Sequence, residues 1–512
     1  MVRQYARQKA DTGFCPQRTI EEHMHVRVLS RASALAVLQA TLVERVLTAR
    51  WPEISVERLT RSSTGDRDPQ IDLWAAADKG VFTSDLSQAL LEGAADLVVH
   101  SWKDLPTSGH PGTIVAATLE RADPRDVLLV RRAVVSVRPS TLTVLSSSPR
   151  RAWQIQGSAP RLLPWPVTDL RVAPIRGNIP TRLNKLVNGD GDALIVAKAA
   201  LDRLLSRDSP GDTVATVRAA LGKCRWMVLP LKEHPAAPAQ GALAVEIAAG
   251  RSDLLDRLHA ISHAPTWEAV ERERSILESF GGGCHEAVGA TVLIRDYGRV
   301  VSVRARVGET QTETWSLEVA GGLPPPTSAQ GVWPRPDERG GTRRRSLRAA
   351  MPSDDVGFWI ARAEALPADW DVETGRFVWA AGLRTWERLA GRGVWVHGCA
   401  DGLGDSEPAG IDALAGRPIV WRRLTHTESG DPEALATYVV EEDAPDLSGR
   451  THFFWTSGSA FARALARQPG IRSAWHASGP GRTARTIRES LGADGRLSLW
   501  LDYEQWHTHV TS

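Results

Sequence analysis

A single thiol, Cys284, stands behind three glycines in Gly281-Gly-Gly-Cys-His285. Residues without Cβ remove steric cover and open backbone angles closed to other residues, so a side chain mounted there can project into open space. The alternative is a small buried hydrophobe, the common fate of a lone free cysteine. Upstream, Ala95-Asp-Leu-Val-Val-His-Ser-Trp-Lys-Asp-Leu-Pro106 runs a buried strand, Leu97 to Val99, out into Lys103 and Asp104, and Pro106 stops further regular structure. An Asp beside a Lys is kept ionised and can still exchange protons with a bound ligand; a solvated ion pair is the alternative. Two Ser/Thr/Asn-bearing turns supply positive charge: Leu145-Ser-Ser-Ser-Pro-Arg-Arg151 and Ile175-Arg-Gly-Asn-Ile-Pro-Thr-Arg182. Guanidinium groups grip carboxylates through paired hydrogen bonds, so Arg150, Arg151, Arg176 and Arg182 suit one ligand with several carboxylates, unless they are four separate surface arginines.

The elements that must position these groups read as α/β. Val26 to Ser30 is a strand and Ala34 to Thr48 has the apolar spacing of a helix, with Arg31 and Ser33 at the junction. Ligands of α/β folds bind at such carboxyl ends of strands, and a helix N-terminus there favours anions. Ser33 acting only as a helix cap is the plainer alternative. A second strand, Ile54 to Leu59, leads into a polar stretch, then Lys79-Gly-Val-Phe82 and a helical pattern to Leu91. Glu120 to Asp126 is a dense charged turn expected at a crossing between domains. Asp192 to Ala197 is another buried strand, and Pro235 to Glu246, with Gln240-Gly-Ala, reads as the return crossing.

Composition bounds the rest. The 512 residues exceed one core and predict roughly three or four domains. A 42% hydrophobic and 24% charged composition is that of a globular protein, and a net charge of +2 argues against a polyanion-binding surface, hence no nucleic acid. Cys15, Cys224, Cys284 and Cys399 lack metal-like spacing, so no metal is expected and a reduced, cytoplasmic setting is the simplest reading. Met1 to His23 has no apolar core and reads as a flexible leader, neither signal peptide nor membrane span. Nineteen tryptophans against four tyrosines find no functional account at this level.

In this order, Arg31-Ala-Ser33, His100-Ser-Trp-Lys-Asp-Leu-Pro106, Asp123-Pro-Arg-Asp126, Ser146-Ser-Ser-Pro-Arg-Arg151, Arg176-Gly-Asn178 with Thr181-Arg-Leu183, Gln240-Gly-Ala242 and Gly282-Gly-Cys284 resemble hydroxymethylbilane synthase, also called porphobilinogen deaminase, over residues 24 to 320. The resemblance implies two doubly wound lobes like those of periplasmic binding proteins and a small α+β third domain. Lobe 1 would combine 24–119 with 239–260, lobe 2 would span 124–232, and the cofactor-attachment domain 264–320. It further implies a transferase of porphyrin and heme biosynthesis that joins four porphobilinogen molecules with loss of ammonia on a dipyrromethane cofactor bound to Cys284, and releases hydroxymethylbilane. Loss of ammonia creates an electrophilic azafulvene, so one carboxylate at the pyrrole N–H groups would protonate the leaving amine, stabilise the cation and remove the ring proton. By similarity that is Asp104. Lys79, Lys103, Arg31, Ser33, Arg150, Arg151, Arg176, Arg182 and Gln240 would hold the acetate and propionate groups, with Ser146, Ser147, Ser148, Gly177 and Asn178 adding hydrogen bonds. A monomer without membrane partners is the expectation.

The chain departs from the family pattern at Ala75 and Ser84, where lysines are common, at Pro149 before the arginine pair, and at His285 after the thiol; the acid and the thiol remain. Residues 321–354, rich in Pro, Gly and Arg, read as an exposed linker. Residues 355–512 return to globular composition and predict an additional α/β domain. There Gly393-Val-Trp-Val-His-Gly398 and His452-Phe-Phe-Trp-Thr-Ser457 read as strands, and Ser478 to Arg488 as a glycine turn opening a helix. The last two stretches resemble parts of uroporphyrinogen-III synthase, which implies either a second activity or a degenerate lobe kept for docking or stability. Two rivals remain for the whole chain: a non-catalytic two-lobed binder of a carboxylated molecule, and a Cys-nucleophile hydrolase with a His held against Cys284.

Overall fold

The computed structural model describes residues 23–62, 83–281, 287–319, 327, 330–339, 343–372, 375–441, 445–492 and 494–512. The chain begins in lobe 1 with strands β1 (Met24–Arg31), β2 (Ile54–Arg61), β3 (Leu97–Ser101) and β4 (Thr113–Ala117). It crosses to lobe 2, where β5 (Asp126–Arg131), β6 (Thr141–Leu145), β7 (Asp169–Ala173), β8 (Ala193–Ala197) and β9 (Cys224–Val228) form a sheet ordered β7-β6-β8-β5-β9. Strand β10 (Leu243–Ala248) then returns to lobe 1, giving the order β2-β1-β3-β10-β4. In each lobe the strand next to a crossing, β10 or β5, runs antiparallel to its neighbours while the others pair in parallel. β8 is buried along its whole length and β5 along all but its last residue, as expected of strands covered on both faces.

Helix α1 (Ala34–Arg50) follows β1, α2 (Pro149–Leu162) follows β6, and α3 (Ile179–Asn188) follows β7. Each begins at a strand's carboxyl end, so the loops ahead of them share the face between the lobes. The two crossings touch: the Ala122 amide donates to the Gly241 carbonyl at 3.3 Å. Gly241 has φ +90°, and a Cβ there would lie 2.3 Å from the Ala122 oxygen, so the close approach demands glycine.

The third domain is the antiparallel meander β11 (Ala287–Arg295), β12 (Gly298–Val307) and β13 (Thr310–Glu318), covered by α4 (Ala264–Ser279). Glu273 of α4 is fully buried, pairs with Arg121 in the outgoing crossing, and accepts from the Ala239 and Val292 amides at 2.7 Å each. One carboxylate thereby ties the third domain to both crossings.

The C-terminal unit has two sheets. Six strands, β15 (Arg343–Ser346), β16 (Gly357–Ile360), β17 (Val378–Ala380), β18 (Gly398–Cys399), β19 (Trp421–His426) and β20 (Leu435–Glu441), are ordered β15-β20-β19-β16-β17-β18. Four shorter ones, β14 (Val332–Trp333), β21 (His452–Trp455), β22 (Trp475–Ser478) and β23 (Leu497–Leu499), are ordered β14-β21-β22-β23. This corrects the linker expected over residues 321–354: β14 and β15 lie within it and pair with β21 and β20. A two-residue strand has no readable period, and the exposed Arg343-Arg-Arg345 run is an edge strand blunted by charge, which composition alone scores as solvated coil. The expected strand over Gly393 to Gly398 is also corrected, because only Gly398 of that stretch is a strand residue.

Val394 to Val396 are nonetheless buried, because they form a seam with lobe 2. The Val228 amide of β9 donates to the His397 carbonyl, and the His397 amide donates to Val378 of β17, both at 2.8 Å. Tryptophans fill this seam: Trp165 stacks on Trp395 at 6.4 Å, and the Trp395 and Trp386 indoles donate to the Trp226 and Leu162 carbonyls at 2.9 and 3.0 Å. One apolar cluster runs without a break from Leu128, Leu142 and Ile155 of lobe 2 to Phe358, Trp386 and Val396. Helix α5 (Leu383–Ala390) presents Trp386, fully buried, to α2. Trp386→Ala leaves both a cavity and an unpaired carbonyl in this seam, and should lower the stability of the whole chain by about 3–5 kcal/mol, read from the denaturant midpoint. A loss below about 1 kcal/mol would show that the C-terminal unit packs on lobe 2 without stabilising it.

Candidate active site

The strand ends converge on a polar face between the lobes. On the lobe 1 side, β3 passes into a single helical turn, Trp102–Asp104. Trp102 is buried against Trp267 at 5.2 Å and its amide donates to Ala242, which fixes the turn and leaves Lys103 half-buried and Asp104 exposed. Ser33 caps α1 by accepting from the Ala36 amide at 3.3 Å, and Arg31 precedes it, half-buried.

On the lobe 2 side, the three serines after β6 are engaged within the protein. Ser146 Oγ accepts from the Ser148 amide, and Ser148 Oγ caps α2 by accepting from Arg151. Ser147 Oγ donates to the Ile175 carbonyl at 2.7 Å and accepts from the Ile175 amide at 2.8 Å, bolting together the loops that carry the two arginine turns. Asn178 caps α3 by accepting from the Thr181 amide at 2.9 Å. Gly177 has φ +111°, where a Cβ would meet the Thr181 methyl at 2.8 Å. Arg176 is exposed; Arg182 is half-buried and donates to the Gly177 carbonyl at 2.7 Å.

The centre of the arrangement is Asp126, fully buried at the start of β5. Arg150 donates to one of its oxygens at 2.8 Å, Arg151 to both at 3.1 and 2.7 Å, and the Gln240 amide at 2.9 Å. Burial alone would raise this carboxyl; Arg151 and Arg150 overcome it and hold the group far below the usual carboxylate range. Arg150, 4% exposed, also donates to Gln154 and the Pro235 carbonyl, so its guanidinium is occupied inside the protein. The Gln240 oxygen, in turn, accepts from Lys103 of lobe 1 and Arg151 of lobe 2 at 3.4 Å each. Gln240 is thus the joint at which the two sides meet.

Among the described residues, cations outnumber carboxylates here. Burial pushes the Lys103 ammonium down to about 8, with Arg151 and Arg150 adding to the effect and Asp104 and Asp126 opposing it. Burial and then Arg151 also push Arg182 down. Arg151 therefore interacts with Lys103, Arg150 and Arg182, Asp126 and Asp104 oppose the charge at Lys103, and the surplus positive charge suits a ligand bearing carboxylates. Lys79 and Cys284 lie outside the described residues, as does His285; among the described ones, α4 ends at Ser279 and β11 starts at Ala287, on either side of the thiol's segment.

Residues 26–256 match the family model described as porphobilinogen deaminase, dipyromethane cofactor binding domain. The porphobilinogen deaminase of Desulforudis audaxviator is 39% identical over 277 residues, covering 54% of this chain and 82% of that protein. That of Mycobacterium tuberculosis is 40% identical over 266 residues, covering 52% and 77%. The chain belongs to the porphobilinogen deaminase family. Its two lobes are the family's doubly wound α/β pair, with the third domain and the extra C-terminal unit following.

Two residues that matter here escaped the sequence reading as individuals. Asp126 enters there as the end of a charged turn and of the Asp123-Pro-Arg-Asp126 motif with no role of its own, although an aspartate opening an otherwise apolar strand, Asp126-Val-Leu-Leu-Val130, must find a cation once the strand is buried on both faces. Glu273 lies on a helix rich in charge, where nothing local separates the one buried carboxylate from the solvated ones.

Lys103 yields a test by pH. Its folded value lies below that of a free ammonium, so between about 8 and the usual value near 10.4 the unfolded chain holds a proton that the folded chain has released. The cation is whole at pH 7 and lost as pH rises through about 8. The kcat/KM for a carboxylated substrate should therefore fall above pH 8, and Lys103→Arg should move that limb upward by more than one pH unit. An unmoved limb would assign it to another group.

Proposed function

We propose that this chain is a hydroxymethylbilane synthase that condenses four porphobilinogen molecules head to tail, with loss of ammonia, and releases hydroxymethylbilane. The observation that carries the reading is the surplus of cations around Asp126 and Asp104 at the lobe junction, in a chain whose family acts on this substrate. The same surplus fits a covalent cofactor bearing several carboxylates, with Cys284 as its attachment point. When bound, dipyrromethane supplies the pyrrole carbon to which the first substrate unit is joined.

The chain's own residues divide the work. Asp104 is the only carboxylate of the pair left open to a ligand, since Asp126 is consumed by its three partners. It serves as acid toward the leaving amine, as counter-charge to the pyrrole cation, and as base for the ring proton displaced when the carbon–carbon bond closes. Lys103, Arg151, Arg176 and Arg182, with Arg31 and Lys79, take the acetate and propionate groups. Arg150 acts one step back: it holds Asp126, which aims Arg151. Ser33, Ser146, Ser147, Ser148, Gly177, Asn178 and Gln240 shape the loops that carry these groups. Asp104 being outside the buried network, its replacement tests chemistry with little cost to the fold.

The seam with lobe 2 supports a docking role for the C-terminal unit, in preference to a second activity of the uroporphyrinogen-III synthase kind. A cytoplasmic monomer is the expected state, and no described helix is long and apolar enough to cross a membrane. Asp104→Asn should lower the kcat for porphobilinogen consumption about 10²–10⁴-fold with an unchanged unfolding midpoint. Ammonia release within about tenfold of wild type would remove Asp104 from the chemistry and return the binder hypothesis to the front.

A further inference from the structure

Strand β9 does not run straight into the return crossing. After its last residue, Val228, the Leu229 amide donates to the Asp126 carbonyl at 2.8 Å. One turn follows, in which the Pro230 carbonyl accepts from the Glu233 and His234 amides at 3.2 and 2.8 Å. This turn redirects the chain toward the site. His234, fully buried at its end, bonds Ser158 of α2 at 2.5 Å. The next carbonyl, that of Pro235, accepts from Arg150 at 2.9 Å and from Gln154 at 3.1 Å. Gln240, the joint between the lobes, lies further along the same segment.

A helical turn leaves its leading amides without acceptors of its own. Here the acceptor comes from the C-terminal unit. Asp401 takes the amide of the buried Leu231 on one carboxylate oxygen at 2.9 Å and the Lys232 amide on the other at 3.4 Å. The arrangement is an N-cap lent by another domain. Asp401 itself is held at φ +52°, between Ala400 and Gly402, whose amides donate to the Ala380 and Ala381 carbonyls at 2.9 Å each. Its neighbours at positive φ, Gly398, Gly402 and Gly404, are glycines. A side chain carried where glycine is the unstrained choice points to a use for that side chain.

Three further groups face this carboxylate or flank it. Arg125 of the outgoing crossing is the cation acting on it and is itself paired with Asp123 at 2.6 Å. The Cys399 thiol, buried and pushed up by that burial, donates to it at 3.7 Å. The Lys232 ammonium is directed to Asp502 at 4.0 Å. Burial pushes the Asp401 carboxyl up to about 6, against the Leu231 amide, Arg125, the Lys232 amide and Cys399. At neutral pH the group is therefore ionised and both oxygens accept. Protonation turns one of the two acceptors into a donor facing an amide.

We infer that Asp401 is a positioning residue for the deaminase site: by capping the turn at Leu231 and Lys232 it aims the Pro235 carbonyl at Arg150 and sets the approach to Gln240. The inference rests on the deaminase reading above. It makes the C-terminal unit part of the construction of that site, because the cations that receive carboxylates are in register only while the turn is capped.

Two full-length variants test this. Asp401→Asn keeps the shape and loses the charge, and Asp401→Gly removes the carboxylate while easing the backbone. In both, the KM for porphobilinogen should rise at least about fivefold with kcat within about twofold of wild type, since substrate-holding cations are displaced and Asp104 is not. The wild-type KM should climb toward the variants' value as pH falls through about 6, and the variants' KM should stay flat over that range. Hydrogen exchange at the Leu231 and Lys232 amides should be at least about tenfold faster in both variants at neutral pH. A lower kcat at unchanged KM would mean that Asp401 only raises the folded fraction, and would overturn the inference. Parallel pH curves for wild type and variants, or unchanged exchange at the two amides, would overturn it as well. A wild-type chain that consumes no porphobilinogen would overturn the deaminase reading and this inference with it, whereas an active wild type beside unaffected variants removes the role of Asp401 alone.

Discussion

A carboxylate buried without a counter-charge would cost the fold several kcal/mol, and Asp126 is buried completely. Its four polar contacts come from α2, through Arg150 and Arg151, and from the return crossing, through Gln240. Satisfying one ion therefore fixes the helix after β6, the second crossing and the strand that starts lobe 2 against each other. Lys103 joins from lobe 1 through the Gln240 oxygen. The lobe junction is consequently a single polar assembly, and its positive excess follows from needing two arginines to bury one aspartate beside further cations.

The hinge is guarded from outside as well. Arg125 pairs with Asp123 and donates to the Ala409 carbonyl at 2.9 Å. Arg295 of the third domain pairs with Glu407, and the Leu231 amide donates to Asp401 at 2.9 Å. One C-terminal loop, residues 401–409, thus touches the outgoing crossing, the third domain and the approach to the return crossing. Together with the tryptophan seam it attaches lobe 2 to the C-terminal unit as one packed body, so relative motion of the lobes must carry that unit along. The tryptophan content that composition left unexplained belongs in part to this seam, where Trp165, Trp226, Trp386 and Trp395 pack.

What was legible in the sequence was whatever depends on local pattern. The apolar run before Lys103 and Asp104, the Ser/Asn caps ahead of α2 and α3, and the glycine of Gln240-Gly-Ala all have signatures within a few residues. The partners of Asp126 and Glu273 do not, because a buried ion pair is defined by residues distant in sequence, and the aspartate looks like any other charge in a turn. The same holds for β14 and β15: the first is too short for a period, and the second is all arginine and serine, with only its pairing to β20 marking it as a strand. Arg150 shows the limit of reading residue type as role, since a guanidinium expected to meet a ligand is occupied by an aspartate of its own lobe.

The central claim, that the polycationic junction serves a carboxylate-bearing cofactor anchored on Cys284, is met most directly by the intact mass of the purified full-length protein and of Cys284→Ser. The account predicts an excess over the chain mass matching two linked pyrrole units in wild type and none in the variant. An unmodified wild-type chain that also gains no mass on incubation with porphobilinogen would contradict it.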